Sequence, residues 1–450
     1  MIRTLPRILF AGTASGCGKT TAVTTVLTLL KRRGVGVTAA KCGPDYIDPM
    51  FHEAILGVPS SNLDPFFCGG NLLRSLLADS TGELTVIEGV MGYYDGTGPD
   101  GENSTYTVAR ETGTPVILVV NGRGASASLL AVLEGFLRFK PDSGIRGVLF
   151  SGVTAMTYAQ LKAWTEARFG DALTVVGYLP RLPEDCLLGS RHLGLVTPAE
   201  TADLTEKLAK TADLAADTVD LDALLAVAGS AEPLVFDPPV IPRLGSFRIA
   251  AARDDAFCFY YRDTLRLFEK MGAELTFFSP LADEAVPDRA DGLMLGGGYP
   301  ELHAETLEGN EIARESIRRA IASGMPTLAE CGGFQYLGRT LAGHRMCGIL
   351  PQESENAGRL VRFGYITLTA QAGGLLGPAG TTLPAHEFHY YDSTENGSAF
   401  TAVKPSGRSW DCGIHTESLY AGYPHLFLPA SLPAAEAFCR KCLAYKERKR

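Results

Sequence analysis

The chain has 450 residues, of which 46% are hydrophobic and 20% charged, and its formal net charge is −9 at pH 7. This length predicts two domains of ordinary size, and the composition is typical of a globular enzyme. The acidic balance excludes a basic nucleic-acid footprint, and the longest apolar run, at residues 115–120, is far shorter than the roughly 20 residues of a membrane helix.

The N-terminal segment MIRTLPRILFAG contains an apolar run of only about four residues, too short for the apolar region of a signal peptide. We therefore expect a cytoplasmic protein in which the ten cysteines are reduced thiols and not a disulfide framework. The C-x-x-C pair of Cys439 and Cys442 lacks a second pair and does not predict a zinc site.

Residues 1–230 alternate short β-rich runs with helical stretches. Strands are predicted at residues 7–12, 36–42, 84–89, 115–120, 145–153 and 173–180, and helices at 21–34 and 127–139. This rhythm predicts an α/β domain with a doubly wound parallel sheet.

Residues 231–245 contain four prolines and no clean period, which predicts a linker between a domain at 1–230 and a second domain at 246–450. The second domain repeats the α/β pattern. Its predicted strands lie at 247–252, 274–279, 292–297 and 326–330, and its predicted helices at 262–272 and 310–324. The expected fold is therefore two doubly wound α/β domains.

The segment AGTASGCGKTT at residues 11–21 joins a predicted strand to a predicted helix, as phosphate-binding loops do. Backbone N–H groups of such a loop surround phosphate oxygens, Lys19 would reach the β- and γ-phosphates, and Thr20 would bind Mg²⁺. The strict pattern has glycine where this chain has Thr13, and Gly12 lies one place earlier. The predicted nucleotide-binding residues are Gly12, Thr13, Gly16, Cys17, Gly18, Lys19, Thr20 and Thr21.

Acidic residues follow two of the other predicted strands. Glu88 ends the strand at 84–89, where a magnesium ligand of a P-loop protein belongs, although a capping role for this carboxylate is an alternative. Asp45 and Asp48 follow the strand at 36–42, with turn chemistry beside the neighbouring prolines as their alternative. The predicted magnesium ligands are Thr20, Asp45, Asp48 and Glu88, and Lys41 is predicted to contact a phosphate or a substrate carboxylate.

Cys331 lies in PTLAECGGFQYLG at 326–338, between a predicted strand and a predicted helix. A sharp turn at such a place exposes a nucleophile, and a helix N-terminus is expected to lower the pKa of its thiol. The glycine-rich end of the strand at 292–297 can supply oxyanion-stabilising N–H groups. The predicted oxyanion residues are Gly297, Gly298 and Gly332. From the residues alone, the base that activates the thiol is open among His386, His389, His415 and His425.

Nine motifs in chain order resemble one family. They are AGTASGCGKTT, KCGPDYIDP, SSNLDPF, VIEGVMGYYDG, RHLGLV, ARDDAFCFYY, LGGGYPE, LAECGGFQYLG and HEFHYYD. Together they resemble the cobyrinic acid a,c-diamide synthases of corrinoid biosynthesis, over residues 7–430. The resemblance implies a first domain like the dethiobiotin-synthetase branch of P-loop proteins and a second like class I glutamine amidotransferases.

The resemblance also implies roles for individual residues. Cys331 matches the nucleophile and His425 the histidine that activates it. Phe427 stands where class I enzymes carry a glutamate two residues after that histidine, so a Cys–His pair is expected. The implied substrate-binding residues are Lys41, Tyr46, Asp64, Arg191 and His192.

The chemistry implied by the resemblance uses ATP, with Mg²⁺, to phosphorylate a carboxylate of a corrin-type tetrapyrrole. Ammonia released from glutamine at Cys331 then displaces phosphate, on the c and a acetate side chains in turn. The expected partners are thus small molecules, with no nucleic acid and no membrane, and a monomer and a homodimer are both open.

Two alternatives to cobyrinic acid stay open, namely hydrogenobyrinic acid and Ni-sirohydrochlorin. A regulatory ATPase of the ParA or MinD type is the alternative from a different class. Ala14, where such proteins carry lysine, and Cys331 argue against it. The pair Ser151 and Gly152 replaces an Asn-Arg pair that is usual in the resembled family, which leaves the selectivity for the nucleotide base open.

Overall fold

The computed structural model describes residues 1–187 and 198–449 and divides into two compact units, Met1–Pro239 and Val240–Arg450. The division falls within residues 231–245, the segment that the sequence predicts as a linker. Part of that segment, Leu234–Val235, forms a short strand of the first unit. Within the described ranges, no helix combines the length and the apolar character needed to cross a membrane.

The elements of the first unit alternate strands and helices along most of its length. In chain order they are β1 (Ile2–Arg3), β2 (Arg7–Gly12), α1 (Lys19–Arg32), β3 (Val37–Cys42), α2 (Ile47–Ala54), β4 (Ser60–Leu63), α3 (Gly70–Ala78), β5 (Leu84–Glu88), α4 (Thr105–Thr112), β6 (Val116–Asn121), α5 (Ser128–Phe139), β7 (Ile145–Val153), α6 (Ala155–Phe169), β8 (Thr174–Pro180), α7 (Pro198–Ala215), α8 (Leu221–Gly229) and β9 (Leu234–Val235). The predicted strands and helices of this half all appear, with ends shifted by at most two residues.

Seven of these strands form one parallel sheet in the order β4-β3-β5-β2-β6-β7-β8, while β1 and β9 form a separate antiparallel pair. Because the strands are parallel, their carboxyl ends share one edge, where ligands of doubly wound sheets bind. The loops that follow β2, β3 and β5 leave this edge side by side. The predicted parallel, doubly wound sheet of the first domain is confirmed.

The core of the first unit lies between the sheet and the helices α1, α7 and α8. Ile8 and Phe10 of β2 point to it on alternate positions of the strand, and Val23 and Val26 of α1 pack against them, all fully buried. Burial of each such side chain is worth about 1.5–3 kcal/mol. This packing fixes the end of β2 relative to the start of α1, and so the loop between them.

The second unit begins with the same alternation and continues with short strands. In chain order its elements are β10 (Phe247–Ala252), α9 (Arg262–Met271), β11 (Ala273–Phe278), β12 (Gly292–Leu295), α10 (Ala304–Gly309), α11 (Glu311–Ala322), β13 (Thr327–Glu330), α12 (Gly332–Leu337), β14 (Thr340–Leu341), β15 (His344–Arg345), β16 (Glu353–Asn356), β17 (Arg362–Ala370), β18 (Thr382–His389), β19 (Tyr391–Ser393), β20 (Phe400–Val403), β21 (Ser409–Cys412), β22 (Ile414–His415), β23 (Leu419–Gly422), β24 (His425–Leu426) and α13 (Leu432–Arg448).

The central sheet of the second unit has the order β11-β10-β12-β13-β23-β22, and all its pairs are parallel except β22 with β23. Alternate residues of β10 reach two different cores, one that includes α11 and α12 and one that includes α9 and α13. The sheet is therefore covered on both faces, as the predicted α/β fold requires.

Two further sheets belong to the second unit. One is antiparallel, in the order β21-β20-β17-β18-β24, and packs into the same core as α9 and α13. The other has the order β15-β14-β16-β19. None of the strands predicted from the sequence belongs to the antiparallel sheet, although this sheet carries His425.

Candidate active site

The loop between β2 and α1 is shaped by close contacts that only glycine allows. A Cβ atom on Gly12 would lie 2.4 Å from Cys17 Sγ and 2.9 Å from Lys19 Cδ. Gly18 caps α1 with φ of +99°, a left-handed conformation that favours glycine. Gly12 therefore gives the loop the close approach that the strict pattern assigns to the position of Thr13.

Two side chains of the first turn of α1 have different partners: Lys19 contacts backbone carbonyl groups, and Thr20 contacts a carboxylate. Lys19 Nζ donates to the carbonyl oxygens of Met91, at 2.5 Å, and Ala14, at 3.3 Å. Thr20 Oγ1 donates to Glu88 Oε1 at 2.6 Å. The remaining predicted nucleotide-binding residues lie in the same loop or turn; they are Thr13, Gly16, Cys17 and Thr21.

A buried charge cluster lies where β3 and β5 end side by side. Lys41 Nζ is 3.0 Å from Glu88 Oε1 and 2.5 Å from Asp48 Oδ2. His52 Nε2 approaches the other oxygen of Glu88 at 3.3 Å. The structure thus brings together Lys41, Glu88 and Asp48, which the sequence predicted, and adds His52, which it did not.

His52 could have been recognised from its spacing. It follows Asp48 by four residues on α2, and residues four apart share one face of a helix. Its Nδ1 lies 3.1 Å from Ser60 Oγ of β4, which holds the ring against the carboxylate.

Hydrogen bonds fix the loop that follows β3. Asn62, another residue that the sequence analysis does not name, donates to the carbonyl oxygens of Gly43 and Asp45 at 2.9 and 2.7 Å. Asp45 Oδ1 accepts the backbone N–H groups of Ile47 and Asp48, at 2.8 and 3.2 Å. This is the turn chemistry that the sequence left open for Asp45, and its role as a magnesium ligand stays a prediction.

The other predicted substrate-binding residues are only partly described. Asp64, buried after β4, accepts the N–H groups of Phe66 and Phe67 at 2.8 and 3.4 Å. Tyr46 is buried at the start of α2. Arg191 and His192 lie outside the described residues.

Electrostatics keep Lys41 and Glu88 of this cluster charged. Burial alone would lower the pKa of Lys41, but its attraction to Glu88 and Asp48 raises that pKa above the usual value. Burial alone would raise the pKa of Glu88, but Lys41 and His52 lower it below the usual range. Burial and the charge of Glu88 raise the pKa of Asp48. Lys41 and Glu88 therefore form an ion pair across the neutral pH range.

The donor set fits a magnesium ion that binds together with nucleotide. Mg²⁺ usually takes one or two protein oxygens and completes its shell with phosphate oxygens and water. The Thr20 hydroxyl and the Glu88 carboxylate offer such oxygens, 2.6 Å apart beside the loop. Within residues 1–187 and 198–449, no group of three or more His, Cys, Asp or Glu side chains is placed to hold a metal ion by itself.

Cys331 occupies a strained turn at the carboxyl end of β13. Its backbone has φ of +47° and ψ of −102°, directly before the first residue of α12. The Cys331 N–H donates to the Gly422 carbonyl of the neighbouring strand at 2.8 Å, which holds the turn in place. Non-glycine residues in such conformations cost about 1–3 kcal/mol and cluster at functional sites.

The predicted oxyanion glycines and His425 meet beside this turn. A Cβ atom on Gly332 would lie 3.3 Å from the backbone nitrogen of Gly298. A Cβ atom on Gly297 would lie 2.4 Å from Cε1 of His425, so the imidazole lies directly against the glycine backbone. Sequence positions more than 120 residues apart are thereby brought to one place.

The other three candidate bases face different surroundings. His415 Nε2 accepts the N–H of Leu376 at 2.9 Å. The ring of His389 stacks on Tyr423 at 3.8 Å, and His386 pairs with His425 across β18 and β24. His425 is thus the candidate that the structure places against the glycine loop.

The expectation of a lowered thiol pKa is wrong. Burial raises the pKa of Cys331, and this effect outweighs the hydrogen bond from the Gly332 N–H that favours the thiolate. Burial also lowers the pKa of His425 to about 3. The thiol and the imidazole are therefore both neutral at pH 7 in the resting protein, and the helix is too short and the site too enclosed to reverse this.

Comparisons with known proteins find family models that match both halves of the chain. Residues 8–196 match the family described as CobQ/CobB/MinD/ParA nucleotide binding domain, and residues 248–432 match the CobB/CobQ-like glutamine amidotransferase domain. A cobyrinate a,c-diamide synthase of Listeria monocytogenes (serotype 4b, strain F2365) is 41% identical over 440 residues, which are 93% of this chain and 96% of that protein.

Proteins of the same name from other organisms are also similar. The one from Thermoplasma volcanium is 37% identical over 464 residues, which cover 99% of both chains. The one from Salmonella typhimurium (strain LT2) is 39% identical over 434 residues, or 93% of this chain and 94% of that protein. The chain belongs to the cobyrinate a,c-diamide synthase family. The predictions of a glutamine-dependent ligase and of the family itself are confirmed.

One departure from the resembled pattern now has a structural setting. A Cβ atom on Gly18 of the phosphate loop would lie 2.8 Å from Ser151 Oγ, so Ser151 packs directly beneath the loop. Gly152 has φ of +73° and lies against the side chain of Arg123. In this member of the cobyrinate a,c-diamide synthase family, an arginine from the loop after β6 therefore borders the position where an Asn-Arg pair is usual.

Proposed function

We propose that the protein uses ATP and glutamine to amidate the a- and c-carboxylates of cobyrinic acid, through acyl-phosphate intermediates, in cobalamin biosynthesis. The observation that carries this proposal is the family membership, which spans both the phosphate loop and the Cys331 turn. The names of these relatives favour cobyrinic acid over hydrogenobyrinic acid and Ni-sirohydrochlorin as the acceptor.

In the first unit, the proposed reaction transfers the γ-phosphoryl group of ATP to a substrate carboxylate and releases ADP. The loop at residues 12–18 and Lys19 bind the phosphates, and Lys41 compensates the charge of Glu88 and Asp48 beside them. Thr20 and Glu88 would hold Mg²⁺, which when bound neutralises charge on the phosphates. The resulting acyl phosphate has a good leaving group, which a free carboxylate lacks.

In the second unit, the proposed nucleophile is Cys331. Its thiol proton passes to His425, the sulfur attacks the side-chain amide carbon of glutamine, and the backbone N–H groups of the glycine loop stabilise the oxyanion. The proton on His425 then goes to the departing ammonia as the C–N bond breaks. Water hydrolyses the thioester to glutamate, while ammonia displaces phosphate from the acyl phosphate and forms the amide.

The test separates the two half-reactions. Cys331→Ala is expected to abolish amidation with glutamine and to retain amidation with ammonium chloride, because it removes only the ammonia source. Glu88→Gln is expected to block ATP-dependent amidation with either nitrogen source and to retain glutamine hydrolysis.

Mass spectrometry identifies the acceptor when cobyrinic acid, hydrogenobyrinic acid and Ni-sirohydrochlorin are offered in parallel. Gain of two amides by cobyrinic acid is the expected outcome. Loss of ammonia-dependent activity in a folded Cys331→Ala variant, or a preference for another acceptor, would contradict the proposal.

A further inference from the structure

The position that carries the third catalytic residue in class I amidotransferases cannot supply a carboxylate here. Phe427 stands two residues after His425 and is 1% exposed. Its ring packs edge-on against Tyr261, with the two centroids 5.1 Å apart. The imidazole of His425 therefore depends on other groups for its orientation.

The carboxylate of Glu330, a residue far before His425 in the sequence, lies beside the His425 imidazole. Glu330 is the last residue of β13 and directly precedes Cys331. Its Oε1 accepts the backbone N–H of Leu426 at 3.2 Å, and its Oε2 lies 3.8 Å from Nδ1 of His425. The carboxylate thus contacts the strand that carries the proposed base, on both of its residues.

We propose that Glu330 is the positioning residue of His425 and takes the role of the missing third member, an inference that rests on the proposed roles of Cys331 and His425. The separation of 3.8 Å is about 1 Å longer than a charge-assisted hydrogen bond. A hydrogen bond to Nδ1 therefore requires Oε2 to move by about 1 Å, while Oε1 can keep its bond to the Leu426 N–H.

The role follows from the tautomer that catalysis needs. For Nε2 of His425 to accept the Cys331 proton, the resting imidazole must carry its proton on Nδ1, and a carboxylate facing Nδ1 selects that tautomer. When the thiol proton arrives at Nε2, the ring becomes an imidazolium that the Glu330 carboxylate stabilises. Once ionised, Glu330 keeps its own charge throughout the reaction, and the proton leaves His425 with the ammonia.

The surroundings make this pairing dependent on pH. Burial raises the pKa of Glu330 to about 8, against a smaller opposing effect of the Leu426 N–H. Titratable groups that face or approach Glu330 come from several elements; they are Tyr260, Tyr261, Cys331, Tyr420 and His425. The phenols of Tyr260 and Tyr420 and the thiol of Cys331 are neutral at pH 7, because burial raises their pKa values.

The sign of the pH dependence follows. Only the ionised carboxylate can hold the Nδ1 proton, so glutamine hydrolysis should increase as the pH rises through the pKa of Glu330, within about one unit of 8. The imidazole of His425, with a pKa of about 3, is already neutral in that range. The acid limb of the kcat/KM profile is therefore assigned to Glu330.

The experiment measures glutamine hydrolysis by Glu330→Gln in the full-length protein. The amide oxygen of glutamine can still accept the Leu426 N–H, so a purely structural role predicts wild-type kinetics. The positioning role predicts a fall in kcat of about 100-fold, less than the roughly 10⁴-fold seen when a directly bonded orienting carboxylate is neutralised in a serine triad. It also predicts a KM for glutamine within about threefold of wild type and loss of the acid limb.

Three further measurements complete the test. Asp291→Asn is the matched control, because Asp291, like Glu330, accepts one backbone N–H, that of Arg248 at 2.9 Å; it should keep wild-type hydrolysis. Glu330→Asp keeps the charge and should recover part of kcat together with the acid limb. Amidation with ammonium chloride by Glu330→Gln should equal wild type, which verifies that the first unit of the variant is unaffected.

If Cys331→Ala is inactive but Glu330→Gln hydrolyses glutamine at the wild-type rate with an unchanged pH profile, the proposed role of Glu330 is wrong and that of Cys331 stands. Full hydrolysis by Cys331→Ala would overturn the assignment of the nucleophile, and the role of Glu330 with it. The two failures are therefore distinguishable in one set of assays.

Discussion

Replacing Lys41 by methionine leaves the carboxylates of Glu88 and Asp48 without their buried cation. Lys41 is 4% exposed and Glu88 is fully buried, so water cannot take over the role of the ammonium. Breaking a buried ion pair by removing one partner typically costs about 3–5 kcal/mol, because the remaining charge is uncompensated. We expect the free energy of unfolding of the first unit to fall by this amount at pH 8.

The destabilisation should depend on pH in a defined direction. In the wild type, the pKa of Glu88 is lowered, so its ion pair stabilises the fold above the unfolded-state pKa and this stabilisation is lost only in strong acid. Without Lys41, burial raises the pKa of Glu88, and protonation of the carboxylates relieves the uncompensated charge as the pH falls. The difference between variant and wild type should therefore shrink between pH 8 and pH 5.

The chain offers a reporter for the first unit alone. It has two tryptophans, Trp164 in the first unit and Trp410 in the second, so fluorescence in a Trp410→Phe background follows only the first. With a urea m-value of about 3 kcal/mol per molar, the expected loss lowers the midpoint by about 1 M or more.

Lys162→Met is the matched control, because Lys162 is exposed and its 3.8 Å pair with Glu166 is worth less than about 0.5 kcal/mol. An unchanged midpoint for Lys41→Met, or a destabilisation of equal size at pH 5 and pH 8, would refute the electrostatic reasoning.

Two further predictions concern the second unit. Gly297→Ala places a Cβ atom 2.4 Å from His425 Cε1 and should lower the rate of glutamine hydrolysis at least tenfold. The control is Gly309→Ala, whose Cβ atom would have no atom within 4 Å and should leave the rate unchanged. Equal rates for the two variants would contradict the contact between Gly297 and His425. Cys331→Gly should be more stable than Cys331→Ala by about 1 kcal/mol, because glycine relieves the strain of φ at +47°. Urea unfolding followed by Trp410 in a Trp164→Phe background measures this difference, and a less stable glycine variant would argue against strain.

Periodicity predicted those elements whose burial is uniform along the strand. The strands at 7–12, 145–153 and 247–252 appear with the same limits as in the prediction, because strands covered on both faces are continuous apolar runs between polar turns. The strand at 292–297 is two residues shorter in the structure, since the glycines after Leu295 leave the sheet.

The antiparallel sheet that carries His425 shows why other strands were not predicted from the sequence. One of its strands, β17, has both apolar and polar residues and is buried only at alternate positions in its second half. Its partner β18 contains a proline and two histidines, which local pattern does not assign to a core strand. The register that opposes His386 to His425 is set by contacts between distant segments, which no window of sequence contains.

Side-chain pairing was likewise only partly predictable. Lys41, Asp48 and Glu88 are predicted as site residues because each lies at or just after the end of a strand. The prediction makes the carboxylates metal ligands and Lys41 a contact to a phosphate or a substrate carboxylate. That Lys41 lies between the two carboxylates follows from the neighbouring positions of β3 and β5 in the sheet. The proposed role of Glu330 could not be predicted from the sequence for the same reason, because it depends on the position of β24 and not on residues close to Glu330 in the chain.

The two sites differ in whether their buried groups are charged in the resting protein, and this difference shows which step of glutamine hydrolysis requires charge separation. Around Glu88 the charges are already separated and paired, so the carboxylate is ready to act without proton transfer. Around Cys331 burial keeps the thiol and the imidazole neutral. The thiolate and the imidazolium must therefore form during the attack, and each charge needs a partner fixed beforehand. The proposed partners are the glycine N–H groups for the oxyanion that follows and the carboxylate of Glu330, 3.8 Å from Nδ1 of His425, for the imidazolium.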